Sequence, residues 1–434
     1  MFAAGAGLSC VSRGTNSLRN DRESDAGVEY CGVNPCGNKG MSTVIAALLT
    51  TLLTSGLTSV VSHQFTIVGG AAAAVGFLIY GVFSRRATLH PMFLVGTALM
   101  CMATLISADA RGSDLSGTVH VASCYLALCA LAISSVNLAS FCRQVITFTS
   151  LFLTALILGQ VLINPALRSW SIWSPSGAAN QMAALINMGL PLVLMRIHDT
   201  RGYWRLSWLT MLFLNCIAVV CVMSRNGVGS MLIILTAYTL FNYKRLSLVI
   251  AAMIVVLLTS FESIIRLPVV YQLLLRFRIV GYQPGTPRSL IWRIAFQHVD
   301  QNPWLGVGPG FAPEKLSVID IYHCHNNIVH VAMETGLPTA VIFSAMMLTL
   351  LLLPLRNLNS DRRMFISTLP ILAYFSYSWT GYPLGLPAGT LLLAMCVNEA
   401  RLQQRRVAAE RLLRRTEAMG LPVVERPRWT PARI

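Results

Sequence analysis

Twelve long apolar segments dominate the chain and limit what it can fold into. They lie at about residues 42–61, 65–83, 89–107, 118–140, 145–163, 180–197, 206–223, 226–242, 246–261, 328–353, 364–380 and 384–398. A helix that crosses a bilayer needs about 20 apolar residues, and only helices or closed barrels satisfy the backbone in lipid. Runs this long and uniformly apolar are typical of helices. We therefore expect an all-α polytopic membrane protein with about twelve transmembrane helices.

Composition excludes an ordinary cytosolic enzyme. Only 12% of the 434 residues are charged, whereas soluble domains contain about a quarter, and the mean hydropathy is +0.62. A net charge of +16 would suggest nucleic-acid binding in a soluble protein. Here the basic residues follow the membrane pattern instead, so we expect no nucleic-acid partner.

The short loops between the apolar segments indicate the orientation. If both termini are cytoplasmic, the outer short loops contain only three basic residues, Arg111, Arg168 and Arg225. The inner short loops then contain eleven: Arg85, Arg86, Arg143, Arg196, Arg201, Arg205, Lys244, Arg245, Arg356, Arg362 and Arg363. The positive-inside rule therefore favours cytoplasmic termini. The nine arginines after Asn398 predict a tail that contacts anionic membrane lipid.

This pattern divides the chain into five parts. We expect a disordered extension at 1–40, transmembrane helices 1–9 at 41–261, a large outer loop at 262–327, helices 10–12 at 328–398 and a basic cytoplasmic tail at 399–434. The extension lacks the apolar core of a signal peptide, and Met41 is an alternative start of translation. Within the outer loop, residues 288–300 predict an amphipathic helix, with Leu290, Ile291, Ile294 and Phe296 on or near one side.

Two arginines lie on the predicted outer side, where the positive-inside rule disfavours basic residues. Arg225 lies in a Ser-Arg-Asn-Gly turn that is too short to leave the membrane boundary, where an unpaired charge is costly. It either serves a site or extends to the lipid headgroups. Arg288 begins the amphipathic helix and either joins the same site or is a solvated surface charge. If the two converge, their guanidinium groups would bind phosphate or pyrophosphate bidentately.

A cluster of polar residues precedes the tenth apolar segment. His325 lies at the predicted outer boundary, where an imidazole can act as a general base near neutral pH. A metal site is the alternative, but its ligands would lack regular spacing: His323, Cys324, His325 and His330. We therefore assign no metal and no cofactor.

Two further features lie close to this cluster. Glu334 is the one acidic residue in the predicted spans. Three roles are open for its side chain: it orients a histidine, it balances the charge of an arginine, or it faces a water-filled cavity. Gly306, Gly308 and Gly310 resemble a phosphate-binding loop, but no Lys-Ser/Thr follows them. A turn that sets the path of the outer loop is the favoured interpretation.

Several motifs together resemble those of the O-antigen ligase and polysaccharide polymerase superfamily. The signature of His-Asn, nine residues, Gly, two residues and Thr is matched by His325-Asn326, Gly336 and Thr339. Other matches are the Pro-x-x-Gly-x-Gly run at Pro303, Gly306 and Gly308, the Arg-x-x-x-Trp pair at Arg288 and Trp292, and the Ser-Arg-Asn-Gly turn at 224–227. The motifs cover roughly residues 170–340.

The resemblance implies a GT-C-like helical glycosyltransferase in the bacterial inner membrane, with cytoplasmic termini and a large periplasmic loop that holds the active site. The donor would be a glycan on undecaprenyl pyrophosphate, transferred with inversion and without a metal. Arg225 and Arg288 would bind the pyrophosphate, and His325 would take the proton from the attacking hydroxyl. The supporting residues would be Asn326, Glu334, Trp292 and Gly336.

Several activities remain open at the level of the sequence. A ligase in lipopolysaccharide biosynthesis joins the glycan to lipid A–core, a polymerase extends the growing lipid-linked glycan, and an oligosaccharyltransferase modifies pilin or another protein. We favour the ligase over the polymerase, because the compact loop contains no additional acceptor domain. A secondary transporter would need ionisable residues in mid-membrane. Of Asp, Glu, Lys and Arg, the predicted spans contain only Glu334 and Arg196, and both lie near the end of a span.

Overall fold

The structure is a computed structural model and describes residues 38–54, 63–84, 87–163, 179–222, 224–243, 288–319, 321, 323–356, 362–378, 383–385 and 387–419. Three predicted features lie outside these residues: the disordered extension up to residue 37, the ninth apolar segment, and the outer loop before Arg288.

The described part of the chain is almost entirely helical. The helices before the outer loop are α1 (Asn38–Thr54), α2 (His63–Phe83), α3 (Pro91–Arg111), α4 (Leu115–Leu126), α5 (Ala139–Ile163), α6 (Ala179–Asp199), α7 (Tyr203–Cys221) and α8 (Arg225–Asn242). The later helices are α9 (Arg288–Gln301), α10 (Ala312–Leu316), α11 (Asn327–Thr335), α12 (Leu337–Arg356), α13 (Arg362–Ser378) and α14 (Pro387–Ala418).

A short sheet interrupts the span predicted at 118–140. After α4 the chain forms a 3-10 helix (Ala127–Ala132), strand β2 (Ile133–Ser135) and a second 3-10 helix (Val136–Leu138). Strand β2 pairs antiparallel with β1 (Ala87–Leu89). The Asn398 side chain accepts a hydrogen bond from the Ser135 amide at 2.7 Å, which stabilises the extended backbone because the amide has no helical partner.

Six helical segments of the described chain are long and apolar enough to cross a membrane. They are Gln64–Phe83, Pro91–Arg111, Leu115–Ala132, Val136–Ile163, Tyr203–Cys221 and Leu337–Pro354. The expectation of an all-α polytopic membrane protein is confirmed at this level, and the count of about twelve spans stays a prediction.

Helix α6 forms the centre of the bundle. Every residue from 182 to 194 is buried, and α6 packs against α5, α7, α8 and α13. A helix that is apolar all round is expected in such a central position. Helices α8 and α13 also pack against each other. Together with α6, they position the polar segments at the start of α8 and before α11.

Candidate active site

The ends of three helices meet at one end of the bundle. Asn226, the second residue of α8, accepts a hydrogen bond from the Ser376 hydroxyl near the end of α13 at 3.2 Å. Asn327, the first residue of α11, donates to the Ser378 hydroxyl at the end of α13 at 3.2 Å. The turn before α8 and the His-Asn-Asn segment before α11 are therefore neighbours across α13, although they are far apart in the sequence.

The Ser-Arg-Asn-Gly turn is held by residues on both sides of Arg225. Ser224 is the N-cap of α8, and its hydroxyl accepts from the Gly227 amide at 3.0 Å. A Cβ atom on Gly227 would lie 2.6 Å from the Ala183 Cβ of α6, so only glycine permits this packing. Arg225 is the first residue of α8, and its side chain lies outside the described part of the structure.

A buried asparagine on α6 also fixes the start of α8. The Asn187 amide donates to the Gly227 carbonyl at 2.7 Å and to the Ser230 hydroxyl at 2.6 Å. Asn187 is fully buried, and its polar side chain costs free energy there unless it is bonded. Sequence reasoning missed this residue, although an asparagine inside an otherwise apolar run was a usable signal.

His325 has an unusual backbone conformation. Its φ angle is 51°, and it is the one non-glycine residue with positive φ in the described chain. This left-handed conformation costs about 1–2 kcal/mol for an L-residue, and such strain concentrates at functional sites. The next residue, Asn326, is the N-cap of α11 and accepts from the amides of Ile328 and Val329 at 2.9 and 3.1 Å.

Helix α9 contacts the loop that contains His325. The Trp292 indole donates to the Cys324 carbonyl at 2.9 Å. Arg288 lies four residues before Trp292 and thus on the same side of the helix. The buried side of α9 is formed by Ile291, Ala295 and Val299, while Phe296 is 49% exposed. Phe296, predicted on or near the apolar side of this helix, lies away from the buried side, because the buried positions recur every four residues from Ile291.

Arg288 is close enough to His325 to influence its titration. Burial and the positive charge of Arg288 together lower the pKa of His325 to about 4, because both disfavour the imidazolium form. Burial and His325 likewise lower the pKa of His323 to about 4. The two rings meet edge to face with their centroids 4.1 Å apart. His325 is therefore neutral at pH 7 and able to accept a proton.

Glu334 supports the site from the far end of α11. Its Oε1 atom accepts from the Gly310 amide at 3.2 Å, and its Oε2 atom lies 3.5 Å from His330 Nε2. Both Glu334 and His330 are buried, and His330 also contacts the Cys324 side chain. Of the three interpretations of Glu334, contact with a histidine is the one observed, but the histidine is His330 rather than His325.

The glycine-rich run is a turn that packs against α11. Gly306, Gly308 and Gly310 all have positive φ, a conformation that costs glycine little. The Val307 amide donates to the Met333 carbonyl at 2.8 Å, and the Gly308 amide to the Glu334 carbonyl at 3.1 Å. These contacts occupy two amides that a phosphate-binding loop would direct at its ligand, as expected for a structural turn.

Gly336 ends α11 where the sequence predicts one span from 328 to 353. Its φ and ψ angles are 88° and 169°, a region almost exclusive to glycine. A Cβ atom here would lie 2.2 Å from the Trp304 carbonyl oxygen. The break separates α11, which carries the site contacts, from α12, which is long and apolar enough to cross a membrane.

Residues 210–344 match the O-antigen ligase family. The matched segment begins within α7, contains α8 to α11 and ends in α12, so it includes every predicted site residue. The match supports the O-antigen ligase superfamily, to which the motifs also point. No curated protein matches the chain.

Within the matched segment, the predicted site residues lie in three places. His325, Asn326, Arg288 and Trp292 lie together around the loop before α11. Arg225 lies at the start of α8, which is connected to that loop through α13. Glu334 and Gly336 hold the opposite end of α11 against the 303–310 turn.

Proposed function

We propose that the protein is an O-antigen ligase-like glycosyltransferase. It would transfer a glycan from undecaprenyl pyrophosphate to a hydroxyl of lipid A–core at the periplasmic face of the bacterial inner membrane. The family match supports the enzyme class, and the apolar helices support the membrane location.

One observation carries the proposal: Arg288 acts on His325, and the start of α8, where Arg225 lies, is connected to the same loop. Burial and the positive charge of Arg288 lower the pKa of His325. Asn226, next to Arg225, and Asn327, two residues after His325, both bond to the last turn of α13. Guanidinium groups in this region would bind an anion such as pyrophosphate bidentately.

The proposed reaction is a single displacement. An acceptor hydroxyl attacks the anomeric carbon, a new C–O bond forms, and the bond from that carbon to the pyrophosphate oxygen breaks. The leaving oxygen keeps the electron pair, and Arg225 and Arg288 offset its negative charge. Neutral His325 accepts the hydroxyl proton. Attack opposite to the leaving group inverts the anomeric configuration, and these roles need no metal.

Donor binding would also make His325 a stronger base. In the free protein, the positive charge of Arg288 helps to keep the pKa of His325 low. A pyrophosphate bound to Arg288 would offset that charge and raise the pKa of the imidazole. His325 would then become a stronger base only when the donor is in place.

The decisive test uses purified protein with labelled glycan–undecaprenyl pyrophosphate, with and without lipid A–core. We expect one new product that requires lipid A–core. A ladder of products from the donor alone would instead assign the protein as a polymerase. Absence of product in both reactions would contradict the proposal and favour transfer to a protein or a transport function.

A further inference from the structure

The last turn of α13 contacts three different helices through three consecutive residues. The pairs are Ser376 with Asn226 of α8, Tyr377 with Gln181 of α6, and Ser378 with Asn327 of α11. Side chains two positions apart on a helix do not face the same side. The two serines can therefore reach two different neighbours from a single turn.

We propose that this turn, Ser376–Ser378, is a positioning element that sets the separation between Arg225 and His325. The inference rests on the function proposed above, in which these two residues act on opposite ends of the same displacement. Ser376 contacts the residue directly after Arg225, and Ser378 contacts a residue two positions after His325. Neither serine has to touch the substrate for this role.

The contact at Ser378 is part-buried, and the amide that donates to it is bonded at both ends. Asn327 is 1% exposed, its Nδ2 donates to Ser378, and its Oδ1 accepts from the Leu384 amide at 3.4 Å. Asn326 caps its own helix, whereas Asn327 connects α11 to other elements. Because an unsatisfied buried amide costs about 1–3 kcal/mol, Asn327 is strongly tied to this arrangement.

The other serine of α13, Ser367, behaves differently. The Ser367 hydroxyl donates within its own helix, to the Met364 carbonyl at 2.8 Å, which is a common arrangement for helical serine. Ser376 and Ser378 instead bond to side chains of other helices. Ser367 is also buried, so it provides a matched control on the same helix at a distance from the site.

The test compares Ser376→Ala, Ser378→Ala and Ser367→Ala in the purified full-length protein. Small displacements of catalytic groups can cost up to about 100-fold in rate. We expect Ser378→Ala to lower kcat about 10- to 100-fold with little change in donor KM, because it releases the His325 loop. Ser376→Ala should mainly raise donor KM, about 10-fold, because it releases the Arg225 turn. Ser367→Ala should leave both constants within about twofold.

Two further measurements separate positioning from general stability. Ser378→Thr, which keeps the hydroxyl, should restore most of the lost kcat. In an Asn327→Ala background, Ser378→Ala should cause little additional loss, since the two residues act as a pair. If Ser378→Ala fails to fold, Ser378→Thr and the single variant Asn327→Ala still report on the contact.

Three outcomes would overturn the inference: unchanged kinetic constants in both serine variants, equal losses in all three variants, or no recovery by threonine. In each case the wild-type protein would still transfer glycan, so the proposed function would stand. Absence of transfer by the wild-type protein would contradict the proposed function and this inference together.

Discussion

The Trp292 indole nitrogen lies 2.9 Å from the Cys324 carbonyl oxygen and donates a hydrogen bond to it. This contact joins helix α9, which contains Arg288, to the loop that contains His325. It explains the Arg-x-x-x-Trp spacing physically. The four-residue separation places the cation and the indole on one side of the helix, and the indole then holds that side against the loop that contains His325.

Trp292→Phe tests this contact. Phenylalanine keeps most of the ring volume but cannot donate, so the Cys324 carbonyl loses its partner at a cost of about 1 kcal/mol. We expect kcat to fall about tenfold with the protein still folded. Trp304→Phe is the matched control, because Trp304 is 76% exposed. Equal activity of the two variants would remove Trp292 from the site.

His325→Gly separates the backbone strain at position 325 from the proposed catalytic role of the imidazole. Glycine adopts positive φ without the penalty of an L-residue, so we expect an unchanged or slightly higher Tm. Glycan transfer should nevertheless be lost, because the proposed base is absent. His298→Ala, on helix α9, is the histidine control and should retain activity. Normal turnover by His325→Gly would contradict the assignment of His325 as the base.

The pH dependence of the reaction follows from the pKa of His325. A base must be deprotonated to act, so activity should fall as the pH drops through the pKa of about 4 in the free protein. In the free protein, this acid-side fall in activity is seen in the pH profile of kcat/KM for the donor. The pH profile of kcat reports the complex with the donor instead. There, the bound pyrophosphate should move the fall to higher pH.

Arg288→Gln tests the electrostatic part of this shift. Removal of a positive charge favours the imidazolium form, so the acid limb of kcat/KM should move upward, toward the ordinary histidine value of about 6.5. Initial rates measured between about pH 4 and 8 would reveal the change. An acid limb that stays in place would show that Arg288 does not act on His325.

Arg288→Lys tests bidentate binding of the pyrophosphate. Lysine keeps the positive charge but lacks the planar fork of donors. We expect donor binding to weaken about tenfold or more, corresponding to roughly 1.4 kcal/mol. Arg293→Lys provides the control, since Arg293 is exposed on the same helix. If both lysine variants bind the donor as the wild type does, Arg288 is a surface charge.

Gly336→Ala should prevent correct folding. The new Cβ atom would lie 2.2 Å from the Trp304 carbonyl oxygen, and the alanine would have to adopt a φ angle of 88°. The close contact and the unfavourable φ angle both involve backbone atoms, which cannot easily move. Gly159→Ala is the control, because nothing lies within 4 Å of its Cβ position in helix α5. That control should be neutral or stabilising by about 0.5–1 kcal/mol, as measured by thermal unfolding in detergent.

The helical membrane character of the chain could be predicted from the sequence, because it depends on the length and uniformity of apolar runs. The interruption of the span at 118–140 could not, since it depends on the distant Asn398 side chain that bonds to Ser135. The break that divides the predicted span at 328–353 into α11 and α12 could not be predicted from the sequence either. Gly336 is visible in the sequence, but the close approach of Trp304 that demands it is not.

The candidate site shows the same limits. The motifs identified His325, Arg288 and Trp292, and the helical spacing of the last two could be read directly from the sequence. The contacts of Ser376 and Ser378 could not, because they join segments that become neighbours only after α13 packs beside α8 and α11. A serine near a helix end carries no sequence signal for its partner.

The most direct test of the central claim measures the release of undecaprenyl pyrophosphate from a labelled glycan donor in the presence of lipid A–core. Wild-type protein and His325→Ala should be compared side by side in the same membrane-mimetic system. We expect the wild-type protein to release the carrier as the glycan is transferred, and the variant to bind the donor without releasing the carrier. Equal release by both proteins would contradict the proposed role of His325, and release by neither would contradict the proposed function.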